Sequence, residues 1–110
     1  MALLPIQTVK ASGISPTFGA AAAGGDKVPL NAPNTWLHVK NGGGSTVTVT
    51  ITTQNSAYKG LTIPDRTVTV AASGEQLIGP LDPTLHADIN TQASIGYSAV
   101  TSVTVAAFRI

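Results

Sequence analysis

The sequence predicts an all-β protein: a single antiparallel β-sandwich, Ig-like or jelly-roll-like, of about seven or eight short strands behind an N-terminal arm. Three observations predict it. Val, Ile and Thr alternate from Thr46 to Thr52 and again at Arg66–Ala71 and Ser102–Ala106, a period that suits a pleated sheet and disfavours a helix. Turn residues punctuate the chain at sandwich spacing, and no stretch repeats its apolar residues at helical period. At 110 residues the chain is one domain, long enough to bury an ordinary core without a metal or disulfide. We divide it into an arm over 1–16 and a sandwich over 17–110.

Taken in order, MALLPIQTVKASGISP holds one short strand around Ile6–Val9 and then the turn formers Ser12, Gly13, Ser15 and Pro16. Such an arm lies along its own domain or reaches a neighbour, and both readings stay open. Thr17–Ala23 reads as a strand packed where only small side chains fit, because Gly19 and Gly24–Gly25 leave too few residues for a stable helix. Pro29 confines the strand Asp26–Leu30 to an edge or an end, and 31–34 is a turn.

Thr35–Thr53, TWLHVKNGGGSTVTVTITT, reads as the central β-hairpin. Leu37 and Val39 share one face and Trp36, His38 and Lys40 the other; 41–44 reverses the chain; then Val47, Val49 and Ile51 face the core while Thr46, Thr48, Thr50 and Thr52 face outward. Residues 54–65 are a loop with an apolar patch at Leu61 and Ile63. Arg66–Ala71 and Gln76–Gly79, joined by Ala72–Glu75, read as a second hairpin with Val68 and Val70 inward. The two prolines of PLDPTLHADIN stop sheet pairing, and Pro83 can open a single helical turn. The last strands are Ala93–Ser98 and Ser102–Arg109.

The charged fraction is 10%, where about 25% is usual. Lys10, Lys27, Lys40, Lys59, Arg66 and Arg109 are scattered and leave a net charge of +1, so neither nucleic acid nor an anionic membrane is an expected partner. The apolar runs are too short to span a bilayer. MALLPIQTVK lacks a basic region before its apolar residues, so the expectation is a soluble protein made in the cytoplasm and not exported by a standard signal. Cysteine is absent, which excludes disulfides, thiolate metal sites and thiol nucleophiles.

Catalytic patterns are sparse. His38 and His86 are the only histidines and stand at no metal-motif spacing; Asp82 or Asp88 would have to complete a ligand set, and surface or loop histidines are the expectation. No serine lies in Gly-X-Ser-X-Gly, and the five acidic residues all fall in expected turns. NGGGST at 41–46 lacks the lysine and the following helix of a phosphate loop. We expect no enzyme, cofactor or metal. Trp36, Tyr58 and Tyr97 could line a sugar platform, against the plainer reading that Trp36 and Tyr97 are partly buried packing residues.

What remains is a surface of Thr, Ser, Ala, Gln and Asn, with few lysines and glutamates to discourage association. Small neutral residues permit close approach of another protein without burying charge. The segments TWLHVKNGGGSTVTVTITT, RTVTVAASGEQLIGPL and SIGYSAVTSVTVAAFRI resemble, as an ordered set over 35–110, small head structural proteins of tailed actinobacteriophages and prophages. The resemblance implies a capsid decoration, or cement, protein on the outer surface of the virion, made in the host cytoplasm, with the major capsid protein as partner and homo-oligomers on the capsid. Leu3, Leu4, Ile6 and Val9 of the arm are the first expected contacts, by strand addition to another protein; Trp36, Thr46, Thr48 and Thr50 are the second. A tail, connector or head-fibre component and a host-surface glycan-binding module are the alternatives.

Overall fold

The computed structural model describes residues 2–31, 34–54, 57–58 and 60–110, with the backbone alone for Ala2, Ala57, Tyr58 and Thr62. Its strands are β1 (Ala2–Leu3), β2 (Ile6–Thr8), β3 (Gly19–Ala20), β4 (Asp26–Pro29), β5 (Thr35–Asn41) and β6 (Val47–Ile51) in the first half. The second half holds β7 (Ala57–Tyr58), β8 (Leu61–Thr62), β9 (Arg66–Val70), β10 (Glu75–Ile78), β11 (Gln92–Tyr97) and β12 (Val103–Arg109), with the short helix α1 (Pro83–His86) before β11. The first sheet runs β1-β4-β11-β6-β9 and the second β10-β5-β12-β2, with β3 also on β12. Strands β7 and β8 pair as a separate ribbon inside the stretch expected as a loop. The expected turn at 31–34 falls partly on Ala32 and Pro33, outside the described residues.

The all-β, sandwich-like expectation holds. The core forms where the inner faces meet: Val28, Val49, Ile51, Ala93 and Ile95 of the first sheet pack with Leu37, Val39, Val105 and Ala107 of the second, each large side chain contributing about 1.5–3 kcal/mol on burial. Burial alternates residue by residue along β5 and β6, as the Val/Thr alternation requires. The expected helical turn after Pro83 is α1, where Asp82 caps by accepting from the Thr84 N–H at 2.9 Å.

Two expectations are corrected. Neither expected hairpin pairs with itself: β5 belongs to the second sheet and β6 to the first, β9 to the first and β10 to the second, and β11–β12 crosses in the same way. These connections are arches over the core. Asn41 fixes them: buried at 2% exposure, its Nδ2 donates to the carbonyls of Ser45 at 2.7 Å and of Val70 and Ala71 at 3.3 Å, while its Oδ1 accepts from the Gly43 N–H at 3.0 Å. Gly42 N–H donates to the Ser102 carbonyl and Ser73 N–H to the Gly43 carbonyl, so all three arches meet at one end of the sandwich.

The second correction is the purely antiparallel sheet, and of the two readings left open for the arm, residues 2–8 follow the one along their own domain. Strand β1 pairs parallel with β4, and β2 pairs parallel with β12. The chain crosses from one sheet to the other at Leu4–Pro5, where proline has no N–H to lose. Leu4 is buried and Ile6 packs on the core. Residues 2–8 therefore belong to the sandwich rather than to a separate unit, because a leucine and an isoleucine flanking a proline find more apolar contact between the sheets than along the surface.

Candidate protein-contact surface

The outer face of the first sheet carries the threonines. Register pairs Thr48 with Thr69 and Thr50 with Thr67 across β6 and β9, so four β-branched hydroxyl residues form a two-by-two ladder, continued on β11 by Gly96 opposite Thr50. Cross-strand Thr pairs of this kind stabilise a sheet and place neutral hydroxyls on its surface. Thr67 and Thr69 are exposed, Thr48 and Thr50 half-buried, and Thr46 stands exposed just before β6. Lys27 on this face is neutralised internally: its Nζ donates to Asp88 Oδ2 at 2.9 Å and to Ser94 Oγ at 2.6 Å. The face is thus neutral and hydroxyl-rich.

The outer face of the second sheet is aromatic and partly covered by the chain itself. Trp36 stacks on Phe108 with centroids 4.8 Å apart, and Phe18 sets its edge against His38 and Phe108. Lys40 Nζ lies 4.1 Å from the Phe18 centroid, and His38 Nε2 donates to Glu75 Oε1 at 3.1 Å. Gln7 holds the segment leading to Phe18 with two hydrogen bonds to the backbone of Thr17. Phe108, although it points away from the core, is 4% exposed. Phe18 and its segment cover part of this side, while Leu77 of β10 stays 65% exposed.

The expected contact residues are therefore spread over different environments. Leu3 is 58% exposed and Val9 37%, whereas Leu4 is 7% exposed and Ile6 is half-buried; the last two are structural residues, and the four do not share one accessible face. Trp36 is half-buried beside an apolar hollow of about 320 Å³, which Leu77, Pro80 and Ile110 also line. Thr46, Thr48 and Thr50 do share a side, and Thr67 and Thr69 extend it. The alternation in RTVTVA was the signal that could have added those two.

Trp36 and Tyr97 do not meet on one face. Tyr97 lies on the inner side of β11, its hydroxyl donating to Asp26 Oδ2 at 2.7 Å, while Trp36 is on the outer side of the other sheet; the Tyr58 side chain lies outside the described residues. The histidines are likewise separate. His38 belongs to the aromatic face, and His86 Nδ1 donates to the Thr52 carbonyl at 3.1 Å. Among the described residues no three His, Asp or Glu converge. His86, Arg66, Asp82 and Val68 line a crevice of about 390 Å³ between β9 and β10, the two strands at the open side of the sandwich. Comparison with protein-family models, curated proteins and solved structures finds no match.

Proposed function

We propose that the chain is a non-enzymatic virion structural protein: a capsid decoration protein that binds the outer surface of the major capsid lattice and stabilises the head. The observation that carries this reading is the asymmetry of the two outer faces. On one, Phe18 and Trp36 pack over Phe108 and leave an apolar hollow beside Leu77; the other is a neutral threonine ladder whose lysine is already paired with Asp88. Docking through hydroxyls and methyls avoids desolvating unpaired charge. The head-protein resemblance of residues 35–110 supplies the partner. The capsid-facing surface in this reading is Thr46, Thr48 and Thr50 with Thr67 and Thr69, on the outer face whose far edge carries the exposed Leu3 opposite Lys27.

Decoration works by linkage. A protein that binds the assembled shell and not free subunits stabilises it by about 2.7 kcal/mol per site at a hundredfold excess over Kd, and repetition over the lattice multiplies a modest affinity. The test is quantitative mass spectrometry of purified virions from the genome that encodes the chain. Copies comparable with the major capsid protein support decoration; a handful per particle places the chain at the tail or connector instead, and absence from particles overturns the virion reading. Lysines introduced at Thr48 and Thr50 should lower particle occupancy while leaving the melting temperature nearly unchanged.

A further inference from the structure

We propose that the chain pairs with a second copy of itself along β9, antiparallel about a two-fold axis at Val68, so that the threonine sheet runs unbroken through both subunits. Sheet edges expose backbone donors and acceptors, and proteins blunt them by shortness, charge or proline. Among the described residues, β1 has two residues and runs into Pro5, while β2 has three and follows it. Strand β10 starts at the exposed carboxylate of Glu75 and ends before Gly79–Pro80. Strand β9 has five residues, RTVTV, with no proline and its charge only at the first position. Pro64 and Asp65 precede it, but it is the longest of these edge strands and carries no charge or proline after Arg66.

The charge pattern of β9 fits its own copy. With the axis at Val68, Thr67 lies opposite the partner's Thr69, and Arg66 opposite the partner's Val70. The two arginines are then four strand positions apart, roughly 13 Å, so no like charges face each other. The ladder Thr48–Thr69 continues into the partner's Thr67 and Thr50. On the inner side Val68, half-buried at the mouth of the crevice, meets the partner's Val68, which closes that mouth with apolar surface. A five-residue strand pair is small for an interface, so the free dimer is weak, and tethering on a repeating surface would strengthen it. The pairing does not depend on the decoration reading, since it concerns the chain alone.

The test is sedimentation velocity of the purified full chain over a concentration series reaching about 1 mM, a range that detects weak pairs. The wild type is expected to show a monomer–dimer equilibrium. The double variant Thr67→Lys, Thr69→Lys puts ammonium groups directly opposite one another at both ladder positions and should weaken the dimer about tenfold or more. The double variant Thr67→Lys, Thr69→Glu puts opposite charges there and should dimerise at least as well as the wild type. Both sites are exposed, and circular dichroism confirms that each variant is folded. A wild type that stays monomeric throughout, or two charge variants that behave alike, would overturn the proposal. Since no particle is used, failure here leaves the virion reading untouched, and a dimer absent from virions would defeat only that reading.

Discussion

The Tyr97 hydroxyl donates to Asp26 Oδ2 at 2.7 Å inside the first sheet, joining residues that are 71 positions apart. Asp26 is 1% exposed, its Oδ2 also accepts from the Ala22 N–H at 3.3 Å, and its Oδ1 meets no donor among the described residues. A buried carboxyl with so few donors depends on the tyrosine. Tyr97→Phe should therefore cost about 1–3 kcal/mol by urea unfolding without changing the fold. Burial, and then the Asp26 hydrogen bond, push the Tyr97 hydroxyl well above its ordinary value of 10.0. A raised pKa contributes stability below pH 10 that is lost as the pH climbs further, because the unfolded chain ionises first. Wild type should lose stability above pH 10 more steeply than Tyr97→Phe; parallel alkaline profiles would refute the assignment.

Asn41 does for the arches what Tyr97 does for the sheet. Its amide satisfies the carbonyl of Ser45 and shares those of Val70 and Ala71, and its oxygen satisfies the Gly43 N–H. Asn41→Ala would strand several of these groups in a buried place, each costing about 1–3 kcal/mol when left without a partner. Asn41→Asp keeps the acceptor for Gly43 but turns carboxylate oxygen toward carbonyl oxygens. Both variants should lower the urea midpoint clearly, with hydrogen exchange accelerating first at residues 42–46 and 71–74. Exchange that rises uniformly over both sheets would mean that Asn41 is only a core residue.

The N-terminal strands separate two neighbouring leucines by role. Leu4 is 7% exposed and Leu3 58%, so Leu4→Ala should cost about 2–5 kcal/mol and Leu3→Ser about 0.5 kcal/mol or less. Deleting residues 1–8 should destabilise the whole protein, because it removes β1, β2 and Leu4 together. A truncated chain with wild-type melting behaviour would restore the picture of a detachable arm.

The period-2 pattern made the core legible: Leu37, Val39, Val47, Val49, Ile51 and Val70 were placed inward from alternation, and they are buried. Alternation states which side of a strand is wet. It does not state which sheet the strand joins, and so an arch and a hairpin look alike in TWLHVKNGGGSTVTVTITT. What distinguishes them is Asn41, whose four local and distant hydrogen bonds no local pattern encodes. Of the N-terminal strands, β2 matches the expected strand around Ile6–Val9, but β1 was hidden for a related reason: two residues are too few to show a period, and parallel pairing with β4 and β12 is a long-range event. On the candidate surface, the threonines of β6 were readable, while their partners on β9 needed the register Thr48–Thr69 and Thr50–Thr67. The covering of Phe108 by Phe18 and Trp36 follows from tertiary contacts alone.

The ion pair on the threonine face gives a prediction of opposite sign in pH. The Lys27 ammonium, hydrogen-bonded to Asp88, holds that carboxyl below its ordinary value of 3.8; partial burial opposes this, and the N–H groups of Asn90 and Gln92 reinforce it. A depressed carboxyl contributes stability above the unfolded value that is lost as the pH falls through the folded one. Asp88→Asn retains an oxygen for the Asn90 and Gln92 N–H groups but has no proton to take up. Its deficit against wild type should be full at about pH 6 and shrink toward zero at about pH 2, read from urea midpoints at each pH. Salt should reduce the deficit only in part, because the Lys27 side chain is 23% exposed and Asp88 15%, and partly buried pairs are screened less than exposed ones. A deficit independent of pH would mean that Asp88 serves its turn alone, and the threonine face would then carry an unneutralised lysine, weakening the case for that face as the docking side.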